Sequence, residues 1–130
     1  MDFVWSFLWH LLFIVCFDTC WLTLNFKCLS DDFIYPKQTS KRSLPVTILF
    51  CFMCWIVSAL YLAGHLHDTE LDTVFESAWT GSLVYSVFNF TTYAMNSDWR
   101  IWPTAIVDTF WGTCLFTVTA VIVHKINLSD

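Results

Sequence analysis

Asp18 and Asp108 carry the sharpest chemical signal in the chain, because each stands inside a long apolar stretch: Phe3 to about Phe26 for the first, Pro103 to about His124 for the second. A carboxylate at membrane depth needs a partner or a proton, so such residues serve as interhelical clasps or line a path for ions. On helices rising about 1.5 Å per residue, Asp18 lies about 8 residues before the end of its stretch, roughly 12 Å deep. Asp108 lies about 5 residues after the start of its own, roughly 8 Å deep. Asn89 lies about 6 residues before the end of a third stretch, Val74 to about Met95, roughly 9 Å deep. Three polar side chains on three helices are therefore expected to share one layer. Two carboxylates and an amide oxygen could offer hard ligands to a cation or relay a proton. No intramembrane Lys or Arg neutralises the pair and no further acid continues a path, so the expectation is a set of protonated or hydrogen-bonded clasps.

Other reactive residue types carry less. His65 and His67 with Asp68, Glu70 and Asp72 could in principle bind zinc, but their spacing matches no zinc pattern, and a solvated acidic loop is expected. Cys51 and Cys54 form the Cys-x-x-Cys pair that membrane thiol oxidoreductases also use, yet here it lies within an apolar stretch. A second relay pair is lacking, since Cys16, Cys20 and Cys114 are intramembrane and Cys28 stands alone. In such surroundings cysteine is a small hydrophobe. Cys28, just past the first stretch, has the position of a palmitoylation site. The sequons at Asn127 and Asn89 lie against or inside the membrane and are not expected to be used. No catalytic residue, cofactor or metal is expected.

The elements that hold these residues follow from composition. The chain has 130 residues, 57% hydrophobic, 19% aromatic and 13% charged. A soluble domain is roughly 45–50% apolar and about 25% charged, so the solvent of this chain is a bilayer. At roughly 20 residues per crossing the length accommodates four spans and leaves no aqueous domain, which excludes most enzymes. The second stretch runs from Leu44 to about Leu66, and runs such as Val46 to Val57 are continuously apolar, unlike the alternating strands of a barrel. We therefore expect an all-α integral membrane four-helix bundle, one domain over 1–130, with both termini on the same side. Pro45 and Pro103 fit the first turns of two helices, where a missing N–H costs nothing. The acidic Asp2 and the length of the first stretch argue that it is retained, not cleaved as a signal.

Charge orients the bundle. Lys27, Lys37, Lys41, Arg42 and Arg100 fall on one side and Lys125 alone on the other, which makes the 27–43 loop cytoplasmic and both termini non-cytoplasmic. That loop is expected to be solvated, and no internal repeat is visible. At 100° per residue, Ala78, Ser82, Tyr85, Asn89 and Tyr93 share one face of span three, while Thr104, Asp108, Gly112, Leu115 and Thr119 share one face of span four. Small residues such as Ala78, Ser82 and Gly112 would let these two faces pack closely. Phe88, Phe90, Phe110, Phe116 and Val118 are assigned to lipid, and span three, the most polar, is expected to be the most buried.

Three segments carry a family resemblance: Phe17 to Leu22, Tyr85 to Tyr93 around Asn89, and Trp102-Pro103 through Asp108 to Thr113. Together they resemble a family of small predicted four-span membrane proteins of unknown function, found in bacteria and some large DNA viruses. The resemblance covers nearly the whole chain and departs in the 27–43 loop and in span two. It implies the topology and the pairing of Asp18, Asn89 and Asp108, with no assigned activity. The expected function is that of a non-enzymatic structural or anchoring component of a membrane-bound assembly, such as a virion membrane. The alternative is a small ion, proton or solute transporter using the Asp/Asn layer. Expected partners are the lipid bilayer and other proteins or further copies of the chain; nucleic acid is not among them.

Overall fold

The computed structural model describes residues 2–28, 44–65, 69–95 and 102–129. They form four helices: α1 (Phe3–Cys28), α2 (Leu44–Gly64), α3 (Glu70–Met95) and α4 (Trp102–Ser129). The fold is all-α, with no strand among the described residues. Helices α1 and α4 are long and apolar enough to cross a membrane, over Phe3–Leu24 and Ala105–Ser129, and α2 adds a shorter apolar run, Cys51–Gly64. The expected 27–43 loop lies outside the described residues for 29–43, as do His67, Asp68 and Arg100.

Two helix ends differ from the hydropathy boundaries, and both differences have polar causes. Helix α3 begins at Glu70, four residues ahead of Val74, because Thr69 caps it. The Asp72 backbone N–H donates to Thr69 Oγ1 at 3.1 Å, an N-cap bond, and the Thr69 hydroxyl donates back to the Asp72 carboxylate at 2.5 Å. Helix α4 runs on to Ser129, past His124, and Lys125 in this extension pairs with Glu70 at the start of α3. Hydropathy reports where lipid ends; the backbone follows its caps and ion pairs further.

Helix α3 packs most extensively on α4, and α1 packs on both α2 and α4. The apolar core joins Ile14 of α1, Ala59 and Leu62 of α2, and Leu115, Phe116 and Ala120 of α4. Burial is therefore greatest on α4, whose buried residues include Ala105, Asp108, Leu115, Thr119 and Val123. This corrects the expectation for span three: Leu71, Phe75, Trp79, Leu83 and Val87 leave one side of α3 open. Its polarity does not require burial, since the hydroxyls of Ser77 and Ser86 donate to carbonyls one turn back in their own helix. Phe116 is a second correction, being 2% exposed where a lipid contact was expected. Helix α4 has neighbours on two sides, so its buried arc is wider than one polar stripe, and Phe116 meets the Tyr85 ring edge-on at 6.3 Å. Phe88, Phe90, Phe110 and Val118 face outward as expected.

Candidate functional site

The polar layer forms where α1 and α4 cross. Asp108 is 5% exposed and accepts a hydrogen bond from Asn89 Nδ2 of α3 at 3.0 Å through Oδ2. Its other oxygen, Oδ1, accepts from the Trp21 indole of α1 at 3.3 Å. Asp18, half-buried, accepts from the Trp55 indole of α2 at 2.8 Å through Oδ2 and from the Trp111 indole of α4 at 3.1 Å through Oδ1. Two carboxylates thus tie together all four helices, and each of these four donors is a neutral N–H.

Asn89 and Asp108 meet directly. Between Asp18 and Asp108 stand the Trp21 and Trp111 rings, stacked with centroids 4.6 Å apart and planes 6° from parallel. The indoles link the two acids: an indole N–H only donates, a carboxyl oxygen accepts, and the stacked ring pair joins one bond to the other. Offset stacking adds about 0.5–1.5 kcal/mol beyond burial.

The arrangement rests on a short sequence repeat. Asp18-Thr19-Cys20-Trp21 and Asp108-Thr109-Phe110-Trp111 share the pattern Asp-Thr-x-Trp. At a spacing of three, Asp and Trp lie on one helix face. Because α1 and α4 run antiparallel here, each Asp falls opposite the other motif's Trp, and the bonds cross. Trp21, Trp55 and Trp111 are the site residues that sequence reasoning missed. The available signal was the general need of a buried Trp for an N–H partner, joined to the recurring Asp-to-Trp spacing.

Below this layer the α3–α4 contact depends on missing side chains. A Cβ on Gly112 would enter the Tyr85 ring, and one on Gly81 would come within 2.6 Å of the Gly112 carbonyl oxygen. Ser82 bonds Thr113 across the same seam at 2.8 Å, and Ala78 lies half-buried. The side chains of Tyr93, Thr104 and Cys28 are not among those the structure describes. The Asn89 carbonyl oxygen Oδ1 is buried with no hydrogen-bond partner.

A second polar region, at the end of the fold where α1 begins and α4 finishes, was not foreseen as a buried one. Ser6, His10, Thr73, Ser77, Thr119 and His124 are all buried there on α1, α3 and α4. A small cavity opens among His10, Tyr61, His65, Thr73, Glu76 and Ser77. Of the acidic residues expected in a solvated loop, Glu70 pairs with Lys125 and Asp72 with Thr69. Among the described residues no group of three or more His, Cys, Asp and Glu is placed to hold a metal ion. Cys16, Cys20 and Cys54 are exposed free thiols, and Cys51 and Cys114 are half-buried ones.

No curated protein and no solved structure matches the chain in comparison. A family model does, over residues 3–124, which contains the described part of every helix up to His124 and both Asp-Thr-x-Trp motifs. The apolar helices, the intramembrane acids and this match agree, and the chain belongs to the predicted membrane protein family DUF2177.

Proposed function

We propose that this protein is a non-enzymatic, four-span integral membrane protein that acts as a structural or anchoring component of a membrane-bound assembly, of which a virion membrane is one example. The observation that carries the reading is the crossed clasp, in which the two costly carboxylates are spent on holding four helices together. N–H groups point their positive ends at the carboxylate oxygens, which is the polarity of an internal brace and the wrong polarity for the wall of a cation site. Outward-facing aromatics such as Trp5, Phe75, Trp79 and Phe110 suit embedding in lipid. Cross-linking in the native membrane, followed by purification in detergent, tests the assignment: a stable complex with protein neighbours or with further copies is expected, and free monomer alone overturns it.

The orientation belongs to the same proposal. Five bases against one support a non-cytoplasmic position for both termini. A cysteine introduced at Gln38 is expected to react with an impermeant reagent only after right-side-out vesicles are opened; labelling in sealed vesicles reverses the orientation.

One observation favours a transporter as second reading: Asn89 Oδ1, beside Asp108, is a buried acceptor with no partner. Flux in liposomes that disappears in Asp18→Asn or Asp108→Asn, with folding retained, selects this reading over the first.

A further inference from the structure

No extensive packing joins α2 to α3 among the described residues, although the two follow one another in the chain; the close helix contacts run from α2 to α1, from α1 to α4 and from α4 to α3. A seam is therefore left between α2 and α3. The small cavity sits in it, where α2 finishes and α3 begins, with Tyr61 and His65 on one side and Thr73, Ser77 and Thr80 on the other. Its wall both accepts and donates. Thr73 and Ser77 give their protons to carbonyls one turn back, at 2.9 and 2.5 Å, and keep lone pairs. His10 donates Nδ1–H to the Ser6 carbonyl and His65 donates Nδ1–H to the Tyr61 carbonyl, both at 2.8 Å, which leaves Nε2 of each neutral ring as an acceptor. The hydroxyls of Tyr61 and Thr80 line the same space and can donate. Glu76, also in the lining, has an interaction of its own, and the other groups define the guest without it.

A guest matched to this wall donates and accepts at once. An ammonium only donates and a carboxylate only accepts, whereas a hydroxyl does both. The space is about that of one water molecule, so a hydroxyl enters and a phosphate or choline head does not. Beyond the cavity the same helix faces turn apolar. At 100° per residue Val84 and Val87 lie within about 40° of Thr80 on α3, and Cys54 and Val57 lie within about 40° of Tyr61 on α2. All four side chains are exposed and none is a bulky ring, so the seam is a trough running from the bilayer to the polar pocket. We propose that this seam binds a membrane lipid whose whole polar head is one hydroxyl, a diacylglycerol or a sterol, with the hydroxyl in the cavity and the apolar body along Val57, Val84 and Val87. A water molecule has the same hydrogen-bonding capacity but no body to fill the trough. The site is separate from the Asp–Trp clasp and does not depend on the function proposed for the protein.

The test adds dioleoylglycerol or cholesterol, each compared with its O-methyl ether, to the full chain in detergent and reads the thermal unfolding midpoint. A saturable rise is expected with at least one of the two alcohols and not with its ether, which keeps the apolar body but cannot donate and adds a carbon that the cavity has no room for. Thr80→Val removes one donor, and Val84→Trp blocks the trough from an exposed position. Each is expected to weaken the apparent affinity about tenfold while leaving the lipid-free midpoint close to that of the parent. Thr80→Ser, which keeps the hydroxyl, is expected to bind as the parent does. Equal shifts by alcohol and ether, or a shift that either folded variant leaves intact, overturn the site. No shift with either alcohol also overturns it and leaves the cavity to water.

Discussion

Around Asp18 and Asp108 the protein brings N–H donors from one helix to acceptors on another, and at His10 and Ser77 it turns the donors back onto carbonyls of their own helix. Both regions are polar and enclosed by the same helices, so polarity alone does not distinguish them. The difference is where the protons go. In the clasp the hydrogen bonds run between helices and resist their separation. At the histidine end they run mostly within a helix, one turn back, and contribute little to holding neighbours together. A membrane interior can therefore build an interhelical brace and a set of intrahelical bonds from similar residue types, distinguished by the partners each proton finds.

The largest expected effect comes from disturbing the seam on which the clasp rests. Gly112→Val drives a branched side chain into the Tyr85 ring and should cost about 1–3 kcal/mol or prevent folding. Gly64→Ala is the matched control: nothing lies within 4 Å of a Cβ there, and little change is expected. Unfolding in mixed micelles reads both.

Next in size is Asp108→Leu. An apolar replacement of a lone protonated clasp would be close to neutral, but here it strands the Trp21 and Asn89 donors in a low-dielectric layer. Leaving buried donors unpaired should cost about 1–3 kcal/mol, and a neutral outcome by the same assay would reduce the clasp to incidental contacts.

Trp111→Phe keeps a ring for stacking and removes one N–H. Interhelical polar contacts in membranes average about 0.6 kcal/mol and reach about 1.7, so a loss in that range is expected. Combined with Trp21→Phe, the two should couple in a double-mutant cycle, because the rings touch. Strict additivity would show that the crossed bonds act separately.

The smallest effect sharpens the contrast at the other end. Thr119 is fully buried and its hydroxyl has no partner. Thr119→Val removes the orphan group at nearly constant volume and should leave stability unchanged or raise it by about 1 kcal/mol; a clear loss would reveal a bond that the clasp-like half and this end share.

The helices and the polar layer were legible because apolar length, proline position and the depth of Asp18, Asn89 and Asp108 are one-dimensional properties. The face pairing of Tyr85 and Asn89 with Gly112 and Asp108 also follows from helical angle, whereas Thr113, the partner of Ser82, stands off the face that angle selects. The indoles escaped notice because tryptophan reads as a lipid anchor until its N–H is asked for a partner. Phe116 was misplaced because a single polar stripe was taken as the whole buried arc, whereas α4 has two neighbours. The His10 cavity was invisible for a different reason: its wall gathers residues from α1, α3, the end of α2 and α4, none of which signals the others in sequence.

The crossed motif also sets a constraint on biogenesis. Trp111 reaches Asp18 across 93 residues, and Asp108 reaches Trp21 across 87. A ribosome delivering the helices in order releases Asp18 into the membrane long before half of its partners exist. Trp55 can satisfy one oxygen once α2 arrives, and the other waits for the last helix. A chain truncated before Trp111 is thus left holding an acid with an open oxygen, a mark by which membrane quality control could tell an unfinished copy from a complete one.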